Sequence, residues 1–238
     1  MEKEEQRVGS TPARTPVGRA CVRFLFSLGV WGGLLFWAAG TLSWTRGWVH
    51  VGLWIVTLAT NLVILLRTNP EVLATRMNRQ QVFAKFEKVM LPLFVPAMLA
   101  IPVVAGLDAV RYAWTFLPLW AMWPGVIVHV AGGAFMLWAM MVNPYLAKEV
   151  RIQTERGHRV ITTGPYAIVR HPMYVGLILV LAGIPLLLGS SWAFLPVCVV
   201  ALLLVIRTVF EDRMLRKKLP GYGAFMLRTP HRLIPGVW

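Results

Sequence analysis

The sequence predicts an all-α integral membrane protein with five to six transmembrane helices, the last two forming a C-terminal helical hairpin. Three observations predict this fold class. Hydrophobic residues make up 57% of the 238 residues and the mean hydropathy is +0.63, which is unlike the composition of soluble domains. Several apolar runs approach the ~20 residues that a helix needs to cross a bilayer. Lysine and arginine are concentrated in alternate loops between these runs.

The candidate spans are six apolar runs, at 24–42, 49–66, 89–106, 115–142, 173–188 and 192–210. The fifth run is short, and the tight connection Gly189-Ser190-Ser191 joins it to the sixth. These two runs could therefore form a hairpin, 173–210, that crosses the bilayer only partly. The expected number of full spans is five or six.

The basic residues orient the chain. All but Arg46 and Arg111 of the 24 lysines and arginines lie in four segments, 1–23, 67–88, 143–172 and 207–238. Because positively charged loops resist translocation, both termini and these loops are predicted to be cytoplasmic, in the inner or cell membrane if the source is prokaryotic. The net charge of +14 then indicates anionic lipid headgroups as partners, and not nucleic acid.

The chain accordingly divides into a cytoplasmic tail (1–23), four transmembrane helices with an inner loop at 67–88 (24–142), and a C-terminal region (143–238) that includes the hairpin. In the first span, Gly29 and Gly33 have GxxxG spacing, from which we expect packing against another helix of the same chain. The inner loop is predicted to form either an amphipathic helix on the membrane, through Val72, Leu73 and Met77, or a solvated basic loop.

Polar residues inside the apolar runs are few. His129 is expected to hydrogen bond a neighbouring helix, with a place along a substrate path as the alternative. Pro92, Pro96 and Pro102 predict a kinked third span. Cys21 and Cys198 are the only cysteines, and their positions predict neither a disulfide framework nor a metal site.

Two polar stretches, 143–172 and 207–238, flank the hairpin on the same predicted side of the membrane. Pro172 suits the first turn of a helix, which places His171 at the entrance beside free amides. Arg207 and Glu211 are four residues apart and share one helical face, and Asp212 adds a second acid. Taken singly, these features are also compatible with a helix cap and a surface ion pair.

The residues in and around these stretches resemble the isoprenylcysteine carboxyl methyltransferase family, which shares this region with phospholipid N-methyltransferases. The resemblance covers about 143–238 and lies in Val150-Arg-Ile-Gln153, Gly157-His-Arg-Val160, Gly164-Pro-Tyr166, Arg170-His-Pro-Met-Tyr-Val-Gly176, Arg207 to Glu211-Asp212, Gly221-Tyr222 and Arg232-Leu-Ile-Pro235. Phe225 stands where a second tyrosine is frequent.

The resemblance implies a methyltransferase with a cytoplasmic cofactor pocket for S-adenosylmethionine, built from the ends of membrane helices and without a metal. The chain has no GxGxxG motif, which agrees with this. Arg207 and Glu211 correspond to residues at the acceptor. The residues that correspond to cofactor-binding positions are Gln153, His158, Arg159, Val160, Ile161, Tyr166, His171, Pro172, Met173 and Tyr174.

The expected reaction is carboxyl O-methylation of a lipophilic acceptor of the isoprenylcysteine type. Methyl transfer from a sulfonium is an in-line displacement that depends largely on alignment. A carboxylate acceptor is already ionised at neutral pH, and Arg207 could hold it through the planar fork of its guanidinium. Glu211 would then either orient Arg207 or accept a hydrogen bond from the cofactor. The alternatives are a phospholipid amine or small-thiol acceptor, an NADPH-dependent sterol-type reductase, and a non-enzymatic membrane subunit. The sequence predicts no oligomeric state.

Overall fold

The computed structural model describes residues 17–77, 85–146, 153 and 156–238. Most of the predicted tail, part of the inner loop at 78–84 and the motif residues Val150 to Ile152 lie outside these ranges. Within the described residues the fold is all-helical, as predicted. Its helices are α1 (Val17–Ala39), α2 (Thr45–Thr68), α3 (Pro70–Met77), α4 (Lys85–Gly106), α5 (Met122–Val142), α6 (Pro172–Leu188), α7 (Phe194–Lys218) and α8 (Tyr222–Arg228).

Five of the six predicted spans are long and apolar enough to cross a membrane, and the remaining one, the run at 173–188, is shorter. The five are Ala20–Ala39, Thr45–Thr68, Phe86–Arg111, Leu119–Val142 and Phe194–Lys218. They include a π-helical turn, Leu107–Arg111, that continues α4, and a 3₁₀ turn, Leu119–Ala121, that precedes α5. Helix α6 has only 17 residues, which reach about 26 Å and fall short of a hydrocarbon core of about 30 Å. The predicted range of five to six spans is confirmed.

The hairpin of α6 and α7 turns at Gly189, which adopts a left-handed conformation with φ of +82°. A side chain there would also collide with the guanidinium of Arg46. Beside the turn, the buried carboxylate of Asp108 accepts hydrogen bonds from Ser190 Oγ (2.6 Å) and the Trp192 amide (3.1 Å). Asp108 lies on the π-helical turn after α4, so it ties that helix to the hairpin.

Helices α5 and α6 pack antiparallel with their backbones in close contact. At Gly132, a Cβ atom would lie 2.7 Å from the carbonyl oxygen of Gly176, and the reverse distance is also 2.7 Å. The same holds one heptad away, where a Cβ on Gly183 would lie 2.6 Å from the carbonyl oxygen of Gly125. Only glycine permits this approach, which brings the start of α6 firmly against α5.

The GxxxG prediction for α1 is wrong within the described chain. A Cβ atom added to Gly29 or to Gly33 would meet no other atom within 4 Å, so no helix of the described chain packs on this face. The apolar positions of α3 also differ from the prediction, because Val72 and Leu73 are buried in protein. Val72 packs in a cluster with Leu65 of α2 and Met140 of α5, and α3 is therefore attached to the helical bundle.

His129 is buried and packs edge-on against His50, with 6.2 Å between the ring centroids. His50 in turn accepts a hydrogen bond from Trp31 Nε1 at 3.0 Å. His50 and His129 lie in the first halves of α2 and α5, and His129 is therefore far along the helix from the end of α5 at which the polar stretch 143–172 begins. The structure therefore places His129 in the packing of the bundle.

Candidate active site

The two polar stretches meet in one cleft, whose volume is about 780 Å³ including its open mouth. The cleft lies between the loop that follows α5, the first turn of α6, the last turns of α7, and α8. Every predicted site residue except Gln153 lines it. These residues are His158, Arg159, Val160, Ile161, Tyr166, His171, Pro172, Met173, Tyr174, Arg207 and Glu211, joined by Asn143, Tyr145, Leu146, Arg170, Leu215, Leu219, Tyr222 and Phe225.

The entrance of α6 forms as the sequence predicts. Pro172 occupies the first turn, where its missing amide hydrogen removes no helical bond, and His171 is the N-cap residue. The His171 side chain does not cap the helix. Its Nε2 atom lies 2.9 Å from Asp212 Oδ1, which turns the ring toward α7.

Asp212 of α7 is the hub of the cleft wall. Its side chain is 3% exposed and accepts hydrogen bonds from Arg170 Nη2 at 2.8 Å, Arg232 Nε at 2.8 Å and the Tyr222 hydroxyl at 2.6 Å. With His171, four side chains from three separate segments converge on this one carboxylate. Such a concentration of donors stabilises the ionised acid and joins α6, α7 and the C-terminal segment.

The C-terminal segment is held against α6 by its backbone as well. The guanidinium of Arg170 donates to the carbonyl oxygens of Thr229 (2.8 Å) and Pro230 (2.6 Å). The amide of Arg170 donates to the His231 carbonyl at 3.0 Å. Arg170 is 6% exposed, so it forms an internal link and not the headgroup contact that an arginine beside a membrane helix often makes.

Arg207 and Glu211 share a face of α7, as predicted, and both line the cleft. Glu211 accepts a 2.6 Å hydrogen bond from the Tyr174 hydroxyl. The guanidinium of Arg207 lies over the Tyr174 ring, 5.7 Å from its centroid, and forms a 2.7 Å ion pair with Glu87 of α4. The sequence analysis assigned the orientation of Arg207 to Glu211 and did not identify Glu87.

This part of the chain also matches a known family. Residues 125–217 match the Isoprenylcysteine carboxyl methyltransferase (ICMT) family. The predicted resemblance, which covers about 143–238, is confirmed for residues 143–217. The ICMT match spans α5 from its fourth residue, α6 and all but the last residue of α7, and it includes every predicted site residue. It leaves out Glu87 on one side and Tyr222 and Arg232 on the other. No curated protein matches the chain.

The loop before Gly164 is braced by hydrogen bonds from Gln153 and Arg156. Gln153 is fully buried and donates to the Tyr145 carbonyl at 2.6 Å, while its Oε1 accepts from Arg156 at 2.7 Å. Arg156 continues to Glu71 of α3 through a 2.7 Å ion pair. Gln153 thus supports the loop that carries His158, whose ring stacks on Tyr145 at 4.4 Å. Gln153 is not among the residues that line the cleft, and its contact with a cofactor stays a prediction.

Two tyrosines of the cleft, Tyr166 and Tyr222, stay protonated at neutral pH. Burial raises the pKa of Tyr166, whose hydroxyl oxygen accepts a 2.9 Å hydrogen bond from Asn143. Burial, followed by the nearby charge of Asp212, raises the pKa of Tyr222. Phe225, which stands where a second tyrosine is frequent, is buried and packs edge-on against Tyr222 at 5.6 Å. The hydroxyl at this end of the cleft is therefore supplied by Tyr222.

Proposed function

We propose that this membrane protein is an S-adenosylmethionine-dependent methyltransferase that methylates the carboxylate of a lipophilic, isoprenylcysteine-like acceptor at the cytoplasmic face. One observation carries the proposal: His171 and Arg207, from the two polar stretches that flank the hairpin, border one cleft. The cleft lies at the ends of membrane helices, in a region that matches a methyltransferase family. A water-soluble cofactor and an acceptor dissolved in lipid can both reach such a position.

The residues of the cleft fit S-adenosylmethionine. Tyr166 and Tyr174 offer ring faces, and Glu211 offers a carboxylate of opposite charge to a sulfonium or an amino group. Arg159, which is exposed at the cleft, is placed to bind a carboxylate. When bound, the cofactor supplies an electrophilic methyl group on a positively charged sulfur.

The acceptor is assigned to the Arg207 side of the cleft. Arg207 presents a planar fork of donors, suited to two carboxylate oxygens. Tyr174 lies beneath the guanidinium and holds Glu211 by its hydroxyl, so ring and acid keep fixed positions next to the fork. Leu215, Leu219 and Phe225 add apolar lining to the cleft. A carboxylate acceptor needs no base, and alignment of donor and acceptor is the main contribution of the protein.

A second acceptor class, an amine or a thiol, is favoured by one observation. Glu211 lines the cleft and Glu87 lies directly behind Arg207, so two carboxylates accompany one guanidinium. A protonated acceptor would have to lose a proton, and Glu211 is placed to receive it. Transfer to an amine or thiol should rise with pH near neutrality, whereas transfer to a carboxylate should be flat there.

The test combines a labelled donor with defined acceptors. Membranes containing the protein are incubated with radiolabelled S-adenosylmethionine and an S-prenylated cysteine, with the matching carboxamide as the control acceptor. We expect label in the free acid only, and its release by base, as for an ester. Label in lipid amines or thiols that resists base would favour the second class, and absence of label in every fraction would contradict methyl transfer.

Two further measurements test the identity of the cofactor and the role of the Arg207 guanidinium. The purified protein should melt at a higher temperature with S-adenosylmethionine and be unaffected by NADPH, the cofactor of the reductase alternative. Arg207→Lys should lower kcat/KM for the acid by at least about tenfold, since lysine keeps the charge but loses the fork. Arg213→Lys is the matched control, because Arg213 is exposed on the same helix and should tolerate the change.

A further inference from the structure

The ion pair between Arg207 and Glu87 joins two residues 120 positions apart in the sequence. Glu87 lies in the first turn of α4, whose remaining residues are almost entirely apolar. Its side chain is 7% exposed, and its Oε1 atom lies 2.7 Å from Arg207 Nη2. Glu87 is outside the residues that match the ICMT family. A buried acid at the end of a membrane helix needs a reason for its position.

The geometry separates Glu87 from the ligand side of Arg207. Arg207 lines the cleft and its side chain is 22% exposed, whereas Glu87 does not line the cleft. The Tyr174 ring covers one face of the guanidinium. Arg207 is thus paired with a carboxylate that lies outside the cleft and is covered along one face by a ring, while its side chain lines the cleft.

These two contacts restrict the orientation of the Arg207 guanidinium. An unrestrained arginine side chain samples many rotamers, and a charge-assisted hydrogen bond to a buried acid fixes the guanidinium plane. Displacing a bound group by about 1 Å can lower the rate of an aligned reaction by about 100-fold. From the position of Glu87 behind the cleft wall, we infer that it is a positioning residue that fixes Arg207 for the acceptor carboxylate. The inference rests on the proposed function.

A neighbouring contact keeps α4 in place without this ion pair. Phe86 stacks on Phe210 of α7, with 5.3 Å between centroids and 15° between the ring planes. Removing the charge of Glu87 therefore should not detach α4 from α7. Lys88, the exposed next residue, provides a control for a change of charge in the same turn.

The experiment measures the steady-state kinetics of the full-length protein in lipid vesicles, with S-adenosylmethionine and an S-prenylated cysteine. Glu87→Gln should lower kcat/KM for the acceptor about 10- to 100-fold and leave the KM for S-adenosylmethionine within about twofold. Glu87→Asp, which keeps the charge, should recover part of this loss. Lys88→Gln should behave as the parent. The melting temperature of each variant monitors folding.

A double-mutant cycle distinguishes positioning from a separate effect. Because Glu87 acts through Arg207, Glu87→Gln combined with Arg207→Lys should be little worse than Arg207→Lys alone. Additive losses would overturn the inference. So would a lower acceptor KM in Glu87→Gln, since Glu87 would then be competing with the acceptor for the guanidinium, or an equal loss of cofactor affinity. If the parent protein transfers no methyl group, the proposed function fails. An active parent with an unaffected Glu87→Gln variant contradicts only the inference about Glu87.

Discussion

Replacing Asp212 by asparagine should disconnect the C-terminal segment from the cleft and destabilise the protein. The carboxylate is 3% exposed and is bound by Arg170, His171, Tyr222 and Arg232. Asparagine keeps one acceptor oxygen and turns the other position into a donor. If the NH2 group takes the Oδ2 position, Arg170 and Arg232 lose an acceptor, and if it takes the Oδ1 position, His171 and the Tyr222 hydroxyl must accept instead of donate.

The magnitude follows from the burial of Arg170. Its side chain is 4% exposed, and without Asp212 it would be a buried cation paired only with carbonyl oxygens. Breaking a buried ion pair in this way costs about 3–5 kcal/mol. For a chain of this size, that corresponds to a melting temperature lower by roughly 6–20 °C. Because Arg170, His171 and Tyr222 all line the cleft, binding of S-adenosylmethionine, the proposed cofactor, should weaken as well.

The assay is thermal unfolding of the purified protein, followed by tryptophan fluorescence, together with limited proteolysis. Asp212→Asn should melt earlier, and its last ~20 residues should be cleaved faster than in the parent because their anchor is weakened. Arg232→Gln is the comparison for the buried pair: Arg232 is 27% exposed and its loss leaves the Arg170 pair intact, so its melting temperature should fall less than that of Asp212→Asn. Equal melting temperatures and equal cleavage rates for Asp212→Asn and the parent would refute the claim that Asp212 anchors the C-terminal segment.

Two further predictions concern packing and pH. Gly176→Ala should lower the melting temperature by an amount equivalent to about 1–3 kcal/mol, because its Cβ would lie 2.7 Å from the Gly132 carbonyl oxygen. Gly223→Ala is the control and should be neutral or stabilising, because its Cβ would meet no atom within 4 Å. An unchanged melting temperature for Gly176→Ala would contradict the close backbone contact. Burial raises the pKa of Tyr166 above its ordinary value of 10.0, so above about pH 10 the folded state retains a proton that the unfolded state releases. The free energy of unfolding should therefore fall as the pH rises above about 10. Tyr166→Phe should flatten the fall in melting temperature between about pH 9 and 11, and an unchanged slope would show that Tyr166 does not contribute.

The sequence predicted the helices well, because hydropathy and proline positions are local properties. The five long spans and the short α6 follow from the lengths of apolar runs, and Pro172 marks the start of α6. Residues of the two polar stretches could also be assigned to one site, since they carry a recognisable motif and lie on the same predicted side. Their meeting in one cleft agrees with that assignment.

Sequence patterns were less informative about which residues touch. The GxxxG pair in α1 has a familiar spacing but contacts no other helix of the described chain. The glycines that do pack, Gly125 and Gly132 on α5 and Gly176 and Gly183 on α6, are seven residues apart in each helix. That matching period is a signal in hindsight, although glycine is common in membrane helices and spacing alone does not select a partner.

The sequence alone determined the helical class, the apolar segments and the residues that can take part in binding or catalysis. The reason is that the hydrophobicity and charge of each residue decide by themselves whether it favours the bilayer or water. Only the tertiary structure decided the partners. Arg207 pairs with Glu87 of α4, and Asp212 gathers donors from both sides of the hairpin and from the C-terminal segment. Such pairs join residues far apart in the chain. The sequence contains several acids that could pair with each arginine, and only the packing of the helices selects one.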